Sequence, residues 1–205
     1  MEYHIYNIPV FLVDKVQEGV DIDAFCTEVE EHLPFSLLEN VEIVYIGNFK
    51  ELGDRNAAYS NGGIYMTCEE PTNFDMLENF IHEVAHSLES KYGMIIYDDS
   101  LINEFRGKRE RLRHLLNAEG YRINSRMYNF IEYSSKFDDF LAKEVGYPTL
   151  LTLTMGLFVS PYGATSIQEY FANGFEKYYL DDPRRVKTIS PALYQKIETI
   201  INDET

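Results

Sequence analysis

Residues 81–89 read Ile-His-Glu-Val-Ala-His-Ser-Leu-Glu, and His82, Glu83 and His86 within them form an H-E-x-x-H pattern. Residues four positions apart lie on one face of a helix, so the two imidazoles can bind one ion while Glu83 stands beside them. Two neutral imidazoles suit Zn²⁺, which in hydrolases takes a third protein ligand and leaves a fourth position for water. The pattern therefore predicts one Zn²⁺ per chain, with His82 and His86 as ligands and Glu83 as the general base.

The sequence around this pattern favours a helix. Thr72 and Asn73 are suited to cap its start, and Gly93 is suited to end it. Apolar residues recur with the helical period at Leu77, Phe80, Ile81, Val84 and Leu88. The alternative interpretation is an ordinary amphipathic helix that carries these polar residues by accident, which leaves the spacing of the two histidines unexplained.

A third ligand is offered downstream, where residues 165–175 read Thr-Ser-Ile-Gln-Glu-Tyr-Phe-Ala-Asn-Gly-Phe. Glu169 is the first candidate, but with Ser166 as N-cap it also falls at the third helical position of an S-x-x-E capping box. Spacing alone leaves ligand and cap open, and one residue can serve in both roles. Glu176, further along the same helix, is the second candidate for the ligand.

The two motifs together resemble a known family. Residues 81–86, Ile-His-Glu-Val-Ala-His, and residues 161–175, Pro-Tyr-Gly-x-x-Ser-x-x-Glu-Tyr-Phe-Ala-x-x-Phe, are similar to the catalytic domain of anthrax lethal factor and to the small clostridial Pro-Pro endopeptidases. Those proteins are zinc metallopeptidases of the gluzincin type. The resemblance implies that Glu169 is the third zinc ligand and that the hydroxyl of Tyr162 stabilises the tetrahedral oxyanion.

The resemblance covers residues from about 55 to 86 and from about 147 to 179, and the chain departs from it elsewhere. The stretch between the two motifs is longer than in the relatives, which predicts a helical insertion at about residues 94–146. The chain has no tryptophan, whereas proline-specific members set one against the substrate, so no Pro-Pro preference is implied. Its position alone does not distinguish Tyr162 from the other tyrosines of the chain, which has 16 in all. The alternative to a catalytic role is therefore an ordinary core or loop tyrosine.

The order of elements predicts an α+β, zincin-like fold with a small mixed β-sheet and a mainly helical C-terminal half. A helix is expected over 21–33 and a strand over 41–46, followed by a hairpin around Asn61-Gly62. We expect the second hairpin strand to be the edge strand above the metal helix, where it can bind an extended peptide through main-chain hydrogen bonds. This substrate-binding strand comprises Gly63, Ile64, Tyr65, Met66 and Thr67; an ordinary exposed hairpin is the alternative.

Further helices are expected over 100–118 and 125–145, as an amphipathic pair covering one side of the site. A last helix is expected over 190–202, with Pro191 at its first turn. At 205 residues the chain is expected to be a single metallopeptidase domain, residues 1–205, that contains the insertion.

The charge of the chain limits its partners. It has 34 acidic and 18 basic residues and a net charge of −16, which disfavours nucleic acid and anionic membranes as partners. Seven of the basic residues nevertheless lie close together: Arg106, Lys108, Arg109, Arg111, Arg113, Arg122 and Arg126. The first interpretation of this basic cluster is the solvated face of a helix, and the second is a docking surface for an acidic partner.

No segment has the pattern of a signal peptide or of a membrane span. We therefore expect a soluble protein, either cytoplasmic or, as in the relatives, secreted and already without its leader. Cys26 and Cys68 are too few for a disulfide scaffold. They are expected to be buried thiols, with one disulfide as the alternative in an exported chain.

These features predict a zinc-dependent endopeptidase that acts on an extended peptide or protein. Gln168 and Glu89 are expected to orient His82 or His86 from outside the ligand set. Glu69 and Glu70, just after the predicted edge strand, are expected to meet a basic side chain, which favours cleavage near a basic and a hydrophobic residue. The alternatives are a zinc hydrolase acting on a non-peptide substrate and a catalytically silent zinc-containing interaction module.

Overall fold

The computed structural model describes residues 3–203. Over that range the chain forms eight α-helices and one mixed five-stranded sheet, which confirms the α+β class. The chain divides into two compact units, one built mainly from residues up to Lys91 and the other spanning Tyr92–Ile200.

The first unit holds the sheet. Its strands are β1 (Tyr3–Ile5), β2 (Ile8–Leu12), β3 (Ile43–Gly47), β4 (Ala57–Ser60) and β5 (Gly63–Thr67). They lie in the order β1-β2-β3-β5-β4. The pairs β2-β3 and β3-β5 are parallel, whereas β1 and β4 each pair antiparallel with their neighbour. Alternate residues of the central strands point into the core and are fully buried: Val44, Ile46 and Ile64.

The strand β5 is not an edge strand, so the prediction for Gly63–Thr67 is wrong in this respect. It pairs with β3 on one side and with β4 on the other, and β4 is the outermost strand at this end of the described sheet. Asn61 and Gly62, with φ of 48° and 83°, form the tight turn that folds one strand onto the other. Since β5 carries the buried Ile64 and Met66, it takes the interior position, and the small and polar side chains of β4 suit an edge.

Two helices that begin in the first unit start at capping side chains. In α1 (Ile22–His32) Asp21 accepts a hydrogen bond from the main-chain N–H of Ala24. In α2 (Asn73–Ile96) the hydroxyl of Thr72 accepts from the N–H of Asp75 at 3.2 Å. The predicted end at Gly93 is wrong, because a glycine costs a helix only about 1 kcal/mol relative to alanine and Ile96, in the following turn, is fully buried.

The remaining helices are α3 (Asp99–Ala118), α4 (Ser135–Asp139), α5 (Tyr147–Leu153), α6 (Ile167–Leu180), α7 (Pro183–Ile189) and α8 (Pro191–Asp203). The predictions of helices over 100–118 and 190–202 are confirmed. The rings of Phe105, Phe158 and Tyr170 pack together in the core of the second unit, with centroid separations of 5.3 to 6.4 Å.

The single helix predicted over 125–145 is wrong. A 3₁₀ turn at Ser125–Tyr128 is followed by non-helical residues up to α4, and a π-helical turn at Phe140–Val145 follows α4. The main-chain carbonyl of Ile131 accepts from the N–H of Ile167 at 2.8 Å. A carbonyl in a helix is bound within the helix, so this long-range bond requires the segment to leave the helical conformation.

The basic cluster is also only partly a solvated face. Lys108 and Arg109 are 7% and 1% exposed, so that interpretation is wrong for these two side chains, whereas Arg106 and Arg111 are exposed. The ammonium group of Lys108 donates to the main-chain carbonyls of Leu157 and Ile189, at 2.6 and 2.7 Å. Burial lowers its pKa to about 8.

Two further expectations concern membranes and cysteines. Within residues 3–203, the structure contains no helix with the length and apolar character that crossing a membrane requires. Cys26 and Cys68 are both buried and both free thiols, and burial raises the pKa of Cys26 to about 12. The structure therefore contains no disulfide between Cys26 and Cys68.

Candidate metal centre

His82 and His86 lie on one face of α2, as their spacing predicts. Their ring centroids are 5.0 Å apart, and both side chains are partly exposed. The Nδ1 atom of His86 lies 2.7 Å from the carboxylate of Glu89. When Nδ1 carries the proton, it donates a hydrogen bond to this carboxylate. Nε2 then has the free lone pair that binds a metal ion.

Glu169 is fixed at the start of α6. The hydroxyl of Ser166 accepts a hydrogen bond from the N–H of Glu169 at 3.1 Å, which is the expected N-cap. The side-chain amide of Asn173 donates to the main-chain carbonyl of Glu169 at 2.9 Å. The backbone of Glu169 is therefore held by both flanking turns, and its carboxylate projects from an ordered position.

One ligand-capable atom from each of His82, His86 and Glu169 lies within 4.8 Å of the other two. The set comprises two imidazole nitrogens and one carboxylate oxygen, all from partly exposed side chains. These donors fit Zn²⁺ with a fourth position open, and they also accept other first-row divalent ions. Glu176, the second candidate for the carboxylate, is outside this group and lies 2.9 Å from the ammonium group of Lys177.

Glu83 is bound by the edge strand. It is 9% exposed, and its Oε2 atom accepts a hydrogen bond of 2.7 Å from the main-chain N–H of Tyr59 in β4. Tyr59 pairs with Ile64, one position from the Ser60-Gly63 pair that closes the tight turn. In such a ladder the N–H and C=O groups of alternate residues point away from the partner strand, so Tyr59 presents its N–H outwards to the carboxylate.

Tyr162 lies in a 3₁₀ turn, Tyr162–Ala164, just before α6. Its side chain is half-buried. Burial raises the pKa of the phenol well above its usual range, and the negative charges of Glu169 and Asp138 raise it further. The hydroxyl therefore stays protonated at neutral pH and can donate a hydrogen bond.

Further acidic and tyrosine side chains of the second unit interact with one another near Tyr162 and Glu169. The hydroxyl of Tyr133 donates to Asp138 at 2.9 Å. Burial raises the pKa of Tyr147, and the charges of Asp138 and Glu169 raise it further. The amide nitrogen of Gln168 donates to the exposed carboxylate of Glu132 at 2.7 Å. This bond gives Gln168 a partner that the sequence did not suggest.

Glu69 and Glu70, which were expected to meet a substrate side chain, have different environments. Glu70 is 6% exposed and accepts a hydrogen bond of 2.7 Å from the side-chain amide of Asn79. Burial raises the pKa of Glu70. The prediction is wrong for Glu70, because its carboxylate is turned into the protein; Glu69 is exposed.

No protein-family model, curated protein or solved structure matches the chain.

Proposed function

We propose that the chain is a zinc-dependent endopeptidase. The observation that carries the proposal is the group formed by His82, His86 and Glu169, with ligand atoms within 4.8 Å of one another. A structural zinc site usually has four protein ligands and needs no general base, whereas a hydrolase keeps one position open and a carboxylate near it. Glu83, which neighbours His82 and is bound by the edge strand, supplies that carboxylate.

Each residue has a role in peptide hydrolysis. Zn²⁺ bound to the three ligands would lower the pKa of a water to about 7 and would polarise the scissile carbonyl. Glu83 accepts a proton from the attacking water and passes it to the leaving amine. The hydroxyl of Tyr162 donates to the carbonyl oxygen as negative charge develops on it.

An extended peptide fits this arrangement because an open strand edge lies beside the general base. By the pairing register of β4, Ala57 and Tyr59 direct their N–H and C=O groups outwards. Since Glu83 binds the N–H of Tyr59, a peptide would meet the N–H and C=O of Ala57 and the C=O of Tyr59. A peptide that adds a strand here forms main-chain hydrogen bonds without regard to its sequence. Since Tyr59 also binds Glu83, a scissile bond held along β4 would lie close to the general base. The substrate strand is thus assigned to Ala57–Ser60 in place of Gly63–Thr67.

Cleavage of a peptide library tests the proposal. We expect the purified protein to cleave internal bonds at a recurring motif, identified by mass spectrometry of the products. A Glu83→Gln sample prepared in parallel controls for contaminating proteases and should give no such motif. A protein that carries zinc but cleaves no peptide would contradict the proposal and favour an interaction module or a hydrolase of another bond.

The same experiment tests substrate choice. We expect a basic residue near a hydrophobic one in the motif, because the exposed carboxylate of Glu69 offers complementary charge in a chain of net charge −16. Raising the salt concentration from about 0.05 to 0.5 M should reduce cleavage, since such contacts are screened. Proline enriched on both sides of the cut, without a basic preference or salt sensitivity, would contradict this expectation.

Replacing Tyr162 tests its role in stabilising the oxyanion. We expect Tyr162→Phe to lower kcat about 100- to 1000-fold with little change in KM, because the lost hydrogen bond forms only in the transition state. Tyr133→Phe is the matched control, since its hydroxyl is bound by Asp138, and it should retain most of kcat. Parental kinetics in Tyr162→Phe would rule out the proposed role.

A further inference from the structure

Arg109 is a cation buried in the second unit. Its side chain is 1% exposed, and none of its hydrogen bonds to other described residues goes to a carboxylate. The guanidinium lies over the ring of Phe137, 3.9 Å from its centroid. A buried cation is costly unless polar groups compensate for its lost hydration, so its neighbours must perform that role.

Four main-chain carbonyls compensate. One terminal nitrogen of Arg109 donates to Ala164 and to Thr165, the latter at 3.1 Å. The other donates to Met127 at 2.8 Å and to Phe130 at 3.0 Å. The planar guanidinium thus joins two segments that are far apart in sequence. A lysine has a single ammonium group and cannot reproduce this fork.

The second of these segments leads directly to the proposed site. Ala164 and Thr165 lie between Tyr162 and Ser166, and Thr165 donates from both its N–H and its hydroxyl to the carbonyl of Tyr162, at 3.0 and 2.8 Å. Ser166 then caps α6 through the N–H of Glu169. The main chain that Arg109 holds therefore sets the direction in which both Tyr162 and Glu169 project.

We propose that Arg109 is a positioning residue, which fixes the Tyr162 hydroxyl and the Glu169 carboxylate by clamping the main chain between them. The inference rests on the function proposed for these two residues. Lys108, its neighbour on α3, provides the contrast: it is also buried, but it binds the carbonyls of Leu157 and Ile189, which lie outside this turn.

The test compares Arg109→Lys with the control Lys108→Met. The control also removes the hydrogen bonds of a buried cation, but at a place outside the turn. Hydrogen exchange followed by mass spectrometry should show amides 162–169 exchanging about tenfold faster in Arg109→Lys, because the clamp no longer holds that turn. Lys108→Met should leave exchange in this stretch unchanged. Zinc affinity, measured by competition with a chelator, should fall about tenfold or more in Arg109→Lys only, as is usual when support of a ligand is removed.

Kinetics separate positioning from a general loss of stability. On a cleaved peptide, Arg109→Lys should lower kcat about 10- to 100-fold and change KM by less than about threefold, as expected for a misplaced catalytic group. In a Tyr162→Phe background, at saturating zinc, the same substitution should lower kcat by a clearly smaller factor than in the parent, because the part of the loss that acts through Tyr162 is already absent and only the part that acts through Glu169 remains. If the two substitutions lowered kcat by independent factors that multiply in the double variant, this result would contradict action of Arg109 through Tyr162.

Two outcomes overturn the inference. One is parental exchange of amides 162–169 and parental zinc affinity in Arg109→Lys; the other is an equal change in Lys108→Met. If the parent cleaves no peptide, the proposed function fails, while exchange and metal affinity still test Arg109. If Arg109→Lys does not fold, Arg109→Gln, which removes the guanidinium fork but keeps a neutral polar side chain, is measured in its place, and parental exchange of amides 162–169 in that variant would also overturn the inference.

Discussion

We expect Glu83→Gln to bind zinc normally, to remain folded and to lose activity by about 10²- to 10⁴-fold, the contribution of a positioned general base. The amide has the shape of the carboxylate but cannot accept the proton of the attacking water. Its carbonyl oxygen can still accept the hydrogen bond that the N–H of Tyr59 donates at 2.7 Å. The contact with the edge strand should therefore survive, and the loss should appear in kcat.

Three measurements on one preparation decide this prediction. Elemental analysis gives the zinc content, circular dichroism reports the fold, and the rate of peptide cleavage gives the activity. Glu89→Gln is the matched control, because that carboxylate lies 2.7 Å from Nδ1 of His86 and belongs to the support of a ligand. It should weaken zinc binding by about 10- to 100-fold yet retain activity at saturating zinc. Activity above about a tenth of the parent in Glu83→Gln would contradict its role as general base.

The second large effect is expected for the metal itself. His82→Ala, His86→Ala and Glu169→Ala should each reduce the zinc content from about one per chain to well below that after dialysis, because a three-ligand site loses a third of its donors. Cleavage should disappear in parallel. Elemental analysis of the dialysed proteins and titration with a zinc indicator measure the effect.

Two control variants are available in the chain. His114→Ala removes a histidine that is exposed and pairs with Glu110 on α3, and Glu176→Ala removes the carboxylate that lies beside Lys177. Both should keep zinc at the parental level. Full zinc content in Glu169→Ala, with loss in Glu176→Ala, would reassign the third ligand to Glu176.

The prediction of the edge strand failed for a general reason. Alternation of side chains predicts that 63–67 is a strand and which residues face the core, but it does not say which strand of a hairpin pairs with the rest of the sheet. That depends on which strand offers the more apolar interior face to β3 once the chain is folded. In the structure β5 takes this place with Ile64 and Met66, and β4 remains outermost.

The helix predicted over 125–145 failed because tertiary hydrogen bonds override local preference. The carbonyls of Met127 and Phe130 are bound by Arg109, and that of Ile131 by the N–H of Ile167. None of these partners lies within a helical turn of the segment. The apolar period in the sequence is compatible with a helix but carries no information about distant donors.

The sequence by itself determined the features that depend on near neighbours. These are the helix that carries His82, Glu83 and His86, the tight turn at Asn61-Gly62, and the N-cap at Ser166, because period, φ preference and capping act over a few residues. The tertiary structure alone decided that β4 forms the sheet edge and binds Glu83, and that Arg109 enters the interior to hold the turn after Tyr162. These contacts join segments tens of residues apart, and they form because main-chain groups buried by folding must find partners wherever the packed chain brings them.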